Sequence, residues 1–315
     1  VYYQNVRGLR TKVDEFRLSV LESNFDVIVL TETWLDPSLP SALLFDDSFR
    51  VYRCDRSVDN STCSRGGGVL IACSQSLTSR EHTTVHPSLE LVCVVIQLGN
   101  SRLFIIAAYL PPRLAANAAT LREIENCIRS LCSTMHPGDG LLLLGDFNQP
   151  LVSWSAAQHD PDLPFLHYEL RTRSALSALF MDEMHHSGLF QINGHLNTSG
   201  RVLDLVFANN AVASVCLPLE LCLTPLLAID TYHPALELAI PLPREESAVP
   251  ALTSRLDYAR TDFNRLLPMI ASSVSYNGRN GNNPSAVCDI FASRFAATFL
   301  PAVTDERQIA DALSN

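Results

Sequence analysis

Leu141-Leu142-Leu143-Leu144-Gly145-Asp146-Phe147-Asn148 is the stretch that decides the fold. Four consecutive leucines leave no polar face, so both faces of the segment must be covered. A run this short, ended by a glycine, reads as a strand buried between two layers. Asp146 and Asn148 then stand at its carboxyl end. In a layered α/β fold, strand ends of this kind converge on one rim and line one pocket.

The pattern repeats on either side. Apolar runs at 1–6, 26–30, 69–73, 91–98 and 103–109 read as strands before it, and runs at 189–193, 202–208, 214–221 and 235–240 after it. Longer amphipathic runs at 13–21, 116–132 and 174–187 read as helices, the first with Val13, Phe16, Leu18, Val20 and Leu21 broadly on one side. Many strands with a few interspersed helices make the class α/β and point to two sheets packed face to face with helices outside. Near residue 241 the character changes. Pro241, Pro243 and Pro250 flank an acidic-polar stretch that reads as a linker over 242–257. Beyond it, 258–273 and 284–302 are helical by pattern, with a Gly- and Asn-rich loop between them. We therefore expect a catalytic domain over 1–241 and a helical extension over 258–315.

Composition excludes several classes. Hydrophobic residues make up 47% of the 315 and charged residues 18%, a folded composition rather than a disordered one. No apolar run approaches the ~20 residues of a membrane-spanning helix, so no membrane partner is expected. Nine cysteines form no Cys-x-x-Cys pair, and several sit in strand-like runs. Buried free thiols in a reducing compartment are the expectation. Val1 in place of a start methionine leads us to expect a piece of a longer product, and no targeting segment is visible. The net charge of −10 argues against a nucleic-acid binder, which usually shows a basic face. Yet Arg7, Arg10 and Lys12 lie together, and Arg50, Arg53, Arg56 and Arg65 share one loop-rich, glycine-containing stretch ending at Gly68. A local basic surface is compatible with an acidic chain.

The polar residues that follow the strands form a chemically coherent set. Asn5 ends the first strand and Glu32 follows the second. Tyr109 ends the strand before the leucine run, Asp146 and Asn148 follow that run, Asp204 lies inside an apolar strand, and His233 precedes Pro234 and the last one. A phosphodiester is anionic and resists attack by water. A hard divalent cation neutralises that charge and takes one or two carboxylates, for which Glu32 is suited, with a neutral oxygen from Asn5. Asp146 is the candidate base for a water, Asn148 would hold water or substrate, and Asp204 would fix the tautomer and charge of His233. Each residue alone has an ordinary reading: a solvated loop Glu, an Asp-Phe-Asn turn, a satisfied core His. Asp204 is the hardest to dismiss, because a buried carboxylate needs a partner.

Gln4-Asn5-Val6-Arg7-Gly8-Leu9, Leu30-Thr31-Glu32-Thr33-Trp34-Leu35, Arg65-Gly66-Gly67-Gly68-Val69-Leu70-Ile71-Ala72, Tyr109-Leu110-Pro111-Pro112, Gly145-Asp146-Phe147-Asn148, Leu203-Asp204-Leu205-Val206 and His233-Pro234-Ala235-Leu236 occur in this order. Seven weak motifs in sequence resemble the endonuclease/exonuclease/phosphatase superfamily over residues 1–241, and within it the apurinic-like endonuclease domain of non-LTR retrotransposon polyproteins. The resemblance implies a four-layered α/β sandwich, two packed mixed sheets flanked by helices. It implies Asn5 and Glu32 as metal residues for Mg²⁺, with Mn²⁺ able to substitute, and Tyr109 and Asn148 as phosphate contacts. Asp146 would activate the nucleophile and Asp204 would orient His233. The implied activity is nicking of double-stranded DNA for target-primed reverse transcription in the nucleus after synthesis in the cytoplasm. Element RNA would be engaged through a reverse transcriptase region beyond Asn315. We expect Arg53 and Arg65 to contact DNA.

One position departs from the family, which usually has Ser-Asp-His before the proline. Asp230-Thr231-Tyr232-His233-Pro234 puts Tyr232 at the Asp position. Asp230 is a possible substitute carboxylate. Two rivals follow: a decayed, non-catalytic nucleic-acid-binding copy, and a phosphatase of the same superfamily.

Overall fold

A computed structural model describes residues 1–57, 60, 66–82, 88–115, 117–149, 152–157, 165–171, 175–241, 274–276 and 279–281. The chain divides into two compact units, Val1–Ser247 and Ala248–Asn315. The strands of the first are β1 (Tyr2–Asn5), β2 (Val27–Thr31), β3 (Phe49–Cys54), β4 (Val69–Ser74), β5 (Ser79–Glu81), β6 (Glu90–Leu98) and β7 (Ser101–Tyr109). They continue with β8 (Gly140–Asp146), β9 (Trp154–Ala156), β10 (Tyr168–Leu170), β11 (Leu189–Gln191), β12 (Asp204–Asn209), β13 (Glu220–Leu221) and β14 (Leu236–Glu237). The helices are α1 (Val13–Glu22), α2 (Pro112–Ala115), α3 (Ala118–Cys132), α4 (Ala175–His186) and α5 (Asn210–Ala213).

Two six-stranded mixed sheets carry the domain, in the orders β13-β14-β1-β2-β4-β3 and β11-β12-β8-β7-β6-β5. Each contains one parallel pair, β1 with β2 and β7 with β8, among antiparallel neighbours. The side-chain period of two builds the layers. Val27 and Val29 point into the core between the sheets, whereas Ile28 and Leu30 point outward to Phe16 and Val20 of α1. In β8, Leu142 and Leu144 join the inner core, and Leu141 and Leu143 pack outward with Ile124 and Ile128 of α3 and Met181 and Met184 of α4. All four leucines are buried, at about 2 kcal/mol of burial each, which is why this strand tolerates no polar face. Helix, sheet, sheet and helix form the four-layered sandwich. α3 shows the local logic well: the Asn117 side chain accepts from the amides of Ala119 and Thr120, and Leu121, Ile124, Cys127, Ile128 and Leu131 then fall on the buried face.

Gly145 is set by packing. A Cβ there would lie 1.8 Å from the carbonyl oxygen of Ala108 on the parallel neighbour β7, so no other residue permits this pairing. The seven described cysteines are all free. No described helix is long and apolar enough to cross a membrane.

Several elements differ from the expectation. The stretch taken as an arginine-rich loop contains β3, an edge strand of half-buried residues. Residues 214–221 are not one strand: Asn209 caps α5 by accepting from Val212 N, a turn follows, and only Glu220–Leu221 pairs. The helix expected at 116–132 is α3, preceded by a separate short α2 that was not foreseen, and the hairpin β9–β10 was not foreseen either. In the second unit, the Gly- and Asn-rich loop contains a hairpin of β15 (Val274–Tyr276) and β16 (Arg279–Gly281). The expected linker and both helices of the extension lie outside the described residues.

Candidate active site

Strand register assembles the site. Asn5 stands opposite Thr31, immediately before Glu32, at the carboxyl ends of the parallel pair in the first sheet. Tyr109 stands opposite Asp146 at the corresponding ends in the second, and Asp204, entering β12 antiparallel, lies on the other side of Asp146. The non-glycine residues with positive φ among those described are Arg7 (44°), Glu32 (53°), Trp34 (55°) and Asn148 (45°). All four lie at this rim, where strained backbone concentrates in working sites.

Asp146 is the centre of the contacts. Its Oδ2 accepts from Asn5 Nδ2 at 3.0 Å and lies 3.9 Å from His233 Nε2, and its Oδ1 accepts from the Asn148 amide at 3.0 Å. His233 Nδ1 lies 2.9 Å from Asp204 Oδ2. The other Asp204 oxygen accepts from the Tyr3 hydroxyl at 2.6 Å, and its backbone carbonyl accepts from Asn193 Nδ2 at 2.6 Å. Asn5, Asp146, Asp204 and His233 are all at most 5% exposed. Beside them the Glu32 carboxylate receives the Tyr109 hydroxyl on one oxygen and Trp34 Nε1, at 2.7 Å, on the other. Asn148 Nδ2 is turned to the carbonyl of Leu110 at 2.8 Å.

The electrostatics are those of concentrated negative charge. Burial, reinforced by the Asp204 charge, lifts the Asp146 carboxyl well above the usual range. Burial lowers the basicity of His233, but the hydrogen bond and charge of Asp204, with Asp146 and Asp230 behind them, outweigh it and raise its pKa to about 9. Its imidazole is therefore a cation at neutral pH, with Nδ1 fixed on Asp204 and Nε2 aimed towards Asp146. Burial and the Glu32 charge push the Tyr109 hydroxyl up, so it remains a neutral donor.

All seven residues expected at the rim lie at it: Asn5, Asp146, Asn148, Asp204 and His233 in one contact network, Glu32 and Tyr109 in a second beside it. Asp230 is spent elsewhere. One of its oxygens accepts from Arg7 at 2.7 Å and the other from the Tyr232 amide at 2.8 Å. Tyr232 is about half exposed, with the Arg7 guanidinium 5.9 Å above its ring. Arg53 lies in β3. Its guanidinium donates to the carbonyls of Leu39 and Asp36 at 2.8 and 3.0 Å and pairs with Asp55 at 3.1 Å, which is a structural environment. Arg65 lies outside the described residues. Sequence reading missed Tyr3, Trp34, Asn193 and the pair Arg56–Glu90. Tyr3 offered only its period-two position facing the other sheet.

The donor set suits the expected divalent cation. Asp146 and Asp204 bring carboxylate oxygens together beside His233, within 4.8 Å of one another and of its ring nitrogen. Two buried carboxylates against one imidazolium leave uncompensated charge, and Glu32 is bound by two neutral donors. Surplus buried negative charge of this kind is what a hard cation offsets. Glu32 and the side-chain oxygen of Asn5 are the residues that would hold it.

Solved structures that resemble the chain include the following three. The endonuclease domain of TRAS1, a telomere-specific non-LTR retrotransposon, superposes with a TM-score of 0.53 at 14% identity, covering 77% of this chain and 99% of that one. The 3′–5′ exonuclease NExo of Neisseria meningitidis gives 0.54 at 15%, covering 76% and 99%. An AP endonuclease of Leishmania major gives 0.54 at 14%, covering 76% and 87%. At such identities these likenesses show the fold. No curated protein matches in sequence. The profile of the Endonuclease/Exonuclease/phosphatase family, by contrast, matches residues 3–225. That span runs through Tyr3, Asn5, Glu32, Tyr109, Asp146, Asn148 and Asp204 and takes in well over half of the sequence, so the chain belongs to the endonuclease/exonuclease/phosphatase family.

Proposed function

We propose that the protein is a divalent-metal-dependent DNA endonuclease, the module with which a non-LTR retrotransposon nicks its target so that the freed 3′ hydroxyl primes reverse transcription. The observation that carries this reading is the buried Asp146 carboxylate. Asn5 and the Asn148 amide fix it, and it faces an imidazolium that Asp204 holds in one orientation.

The parts divide the work of hydrolysing a phosphodiester. Asp146 orients and deprotonates the attacking water. The His233 cation, through Nε2, donates to a phosphate oxygen as charge develops on it, and Asp204 pre-organises that donor. The Tyr109 hydroxyl and the Asn148 side chain supply further contacts to the phosphate. When bound at Glu32 and Asn5, Mg²⁺ or Mn²⁺ neutralises phosphate charge and polarises the phosphorus. The likeness to a retrotransposon endonuclease domain supports DNA as substrate. In this reading the protein acts in the nucleus on double-stranded DNA, and element RNA is engaged by a reverse transcriptase region further along the polyprotein.

The test is conversion of supercoiled plasmid to open circle with Mg²⁺ or Mn²⁺ and its loss in EDTA, beside release of phosphate from a small monoester. Cutting that survives thorough chelation would overturn the metal-assisted reading, and monoesterase activity without nicking would favour a phosphatase. Tyr232, where the family usually carries Asp, is the observation that favours a second reading, a non-catalytic DNA-binding copy. That reading requires plasmid binding without nicking at any metal concentration.

A further inference from the structure

Outside the catalytic cluster the interior holds an ion pair for which the proposed chemistry has no use. Arg56 Nε donates to Glu90 Oε1 at 2.7 Å, with side chains only 9% and 2% exposed. Burying such a pair is costly unless its remaining donors and acceptors are placed, so where they lead is informative.

They lead to Glu32. The other Glu90 oxygen accepts from the Gly68 amide at 2.5 Å. That fixes the glycine turn, whose Gly67 carbonyl accepts from the Trp34 amide at 2.9 Å and whose Gly68 carbonyl accepts from the Thr33 amide at 3.2 Å. Gly67 has a φ of 69°, which favours glycine, and a Cβ there would lie 2.2 Å from Glu90 Oε2 and 2.3 Å from Arg56 Nη2, so a larger residue would displace the ion pair. Trp34 then donates through its indole to Glu32, and Glu32 accepts from Tyr109. The circuit closes through the Arg56 guanidinium, 5.6 Å above the Tyr109 ring, and through β6–β7 register, which sets Glu90 opposite Tyr109. Glu32 and Trp34 both keep left-handed backbone inside this ring of contacts, a conformation that persists only where surroundings over-determine it.

We propose that Arg56, Glu90 and Trp34 are positioning residues: the buried ion pair locks the glycine turn against residues 32–34, the segment that follows β2, and the Trp34 indole thereby aims the Glu32 carboxylate for a divalent cation. The proposal rests on the reading of Glu32 as a metal residue. Residues that orient a ligand in this way typically set metal affinity within about 10–100-fold. The pair Arg102–Asp139 is the natural control. It joins the opposite ends of β7 and β8, also with a buried carboxylate, and touches nothing at this rim.

The experiment is Mn²⁺ binding to the full chain by calorimetry and by electron paramagnetic resonance, with Mn²⁺-dependent nicking beside it. Trp34→Phe keeps a ring and removes only the indole N–H, and Glu90→Gln removes the charge. Each is expected to weaken Mn²⁺ binding about tenfold or more. Nicking at saturating Mn²⁺ should return towards the parental rate, whereas Asp139→Asn should lower the melting temperature and leave Mn²⁺ affinity unchanged. Trp34→Phe carries the test alone if Glu90→Gln does not fold. Parental affinity in folded Trp34→Phe, with Glu32→Gln impaired, would overturn the brace and spare the metal assignment. Equal weakening by Asp139→Asn would also overturn the brace. Parental affinity in Glu32→Gln would remove the metal assignment and the brace together.

Discussion

At His233 burial and neighbouring carboxylates pull in opposite directions, and the carboxylates win, which makes the residue a pH-dependent strut as well as an electrostatic catalyst. Its folded pKa of about 9 exceeds the ordinary 6.5. The stabilisation it supplies is therefore complete below about pH 6.5 and is lost as pH rises through 9. Metal-free protein should lose melting temperature across that window, and Asp204→Asn should flatten the loss. Indistinguishable pH profiles for parent and variant would contradict the assignment. Asp146→Ala and His233→Ala should each slow nicking at least about a hundredfold, roughly 3 kcal/mol of barrier, and Asp204→Asn nearly as much. Rapid nicking by folded Asp146→Ala would end the proposed mechanism. Asp230 spends both oxygens on Arg7 and the Tyr232 amide, so Asp230→Ala is expected to cost less than about tenfold, while Tyr232→Asp, restoring the family's usual carboxylate, should raise the rate. A hundredfold loss in Asp230→Ala would make it the substitute carboxylate after all. Polar residues at strand ends were legible only as a set: each alone has an ordinary reading as a loop, turn or core residue, and it is their occurrence together beside buried apolar runs that points to one site. Tyr3 and Glu90 were not, because their partners lie tens to hundreds of residues away, and Trp34 was not, because its turn back onto Glu32 depends on left-handed backbone that no spacing announces.

At the scale of elements, what could be read depended on whether burial was two-sided. β8, β7 and β6 are covered on both faces and appear as nearly unbroken apolar runs, so their existence followed from the apolar pattern, whereas their order in the sheet did not. β3 escaped because it is an edge strand whose long polar side chains lie along the sheet, and arginines at Arg50 and Arg53 look like a solvated loop in a linear text. The run at 214–221 misled in the other direction. Its Val215, Leu217, Leu219 and Leu221 alternate as in a strand, yet three of them are exposed, and the Asn209 cap commits the preceding residues to α5. The corrected place of Arg53 changes what its removal should do. With its donors spent on the Leu39 and Asp36 carbonyls and on Asp55, Arg53→Ala should lower stability by about 1–3 kcal/mol through unsatisfied buried acceptors. The salt dependence of DNA binding should stay as it was. Urea unfolding and binding titrations at several salt concentrations separate the two, and a flattened salt slope at parental stability would return Arg53 to the DNA interface.

At the scale of the whole molecule, the question is how an acidic chain meets DNA and how much of it is needed. The net charge is −10, and Arg7, Arg10, Arg53, Arg56, Arg102 and Arg129 each face a carboxylate, so part of the positive charge is also neutralised within the fold. Long-range attraction is therefore a weak explanation for activity, and the local chemistry of the rim must carry it. Every side chain of that rim lies between Tyr3 and His233, inside the unit Val1–Ser247, and among the described residues both six-stranded sheets and the inner core are built from that unit. A chain ended after Ser247 should accordingly fold, nick plasmid with the same metal requirement, and cut at the same positions as the full chain. If residues 248–315 serve a reverse transcriptase region instead, their removal should leave the nicking rate within about threefold, well below the hundredfold scale expected for losing a group that acts in the reaction. Circular dichroism and thermal unfolding establish that the shortened chain is folded, and a sequencing ladder compares the cleavage sites. A folded 1–247 chain that binds Mn²⁺ but cannot cut would show that the second unit takes part in catalysis, and the proposal of an independent nicking module would have to be given up.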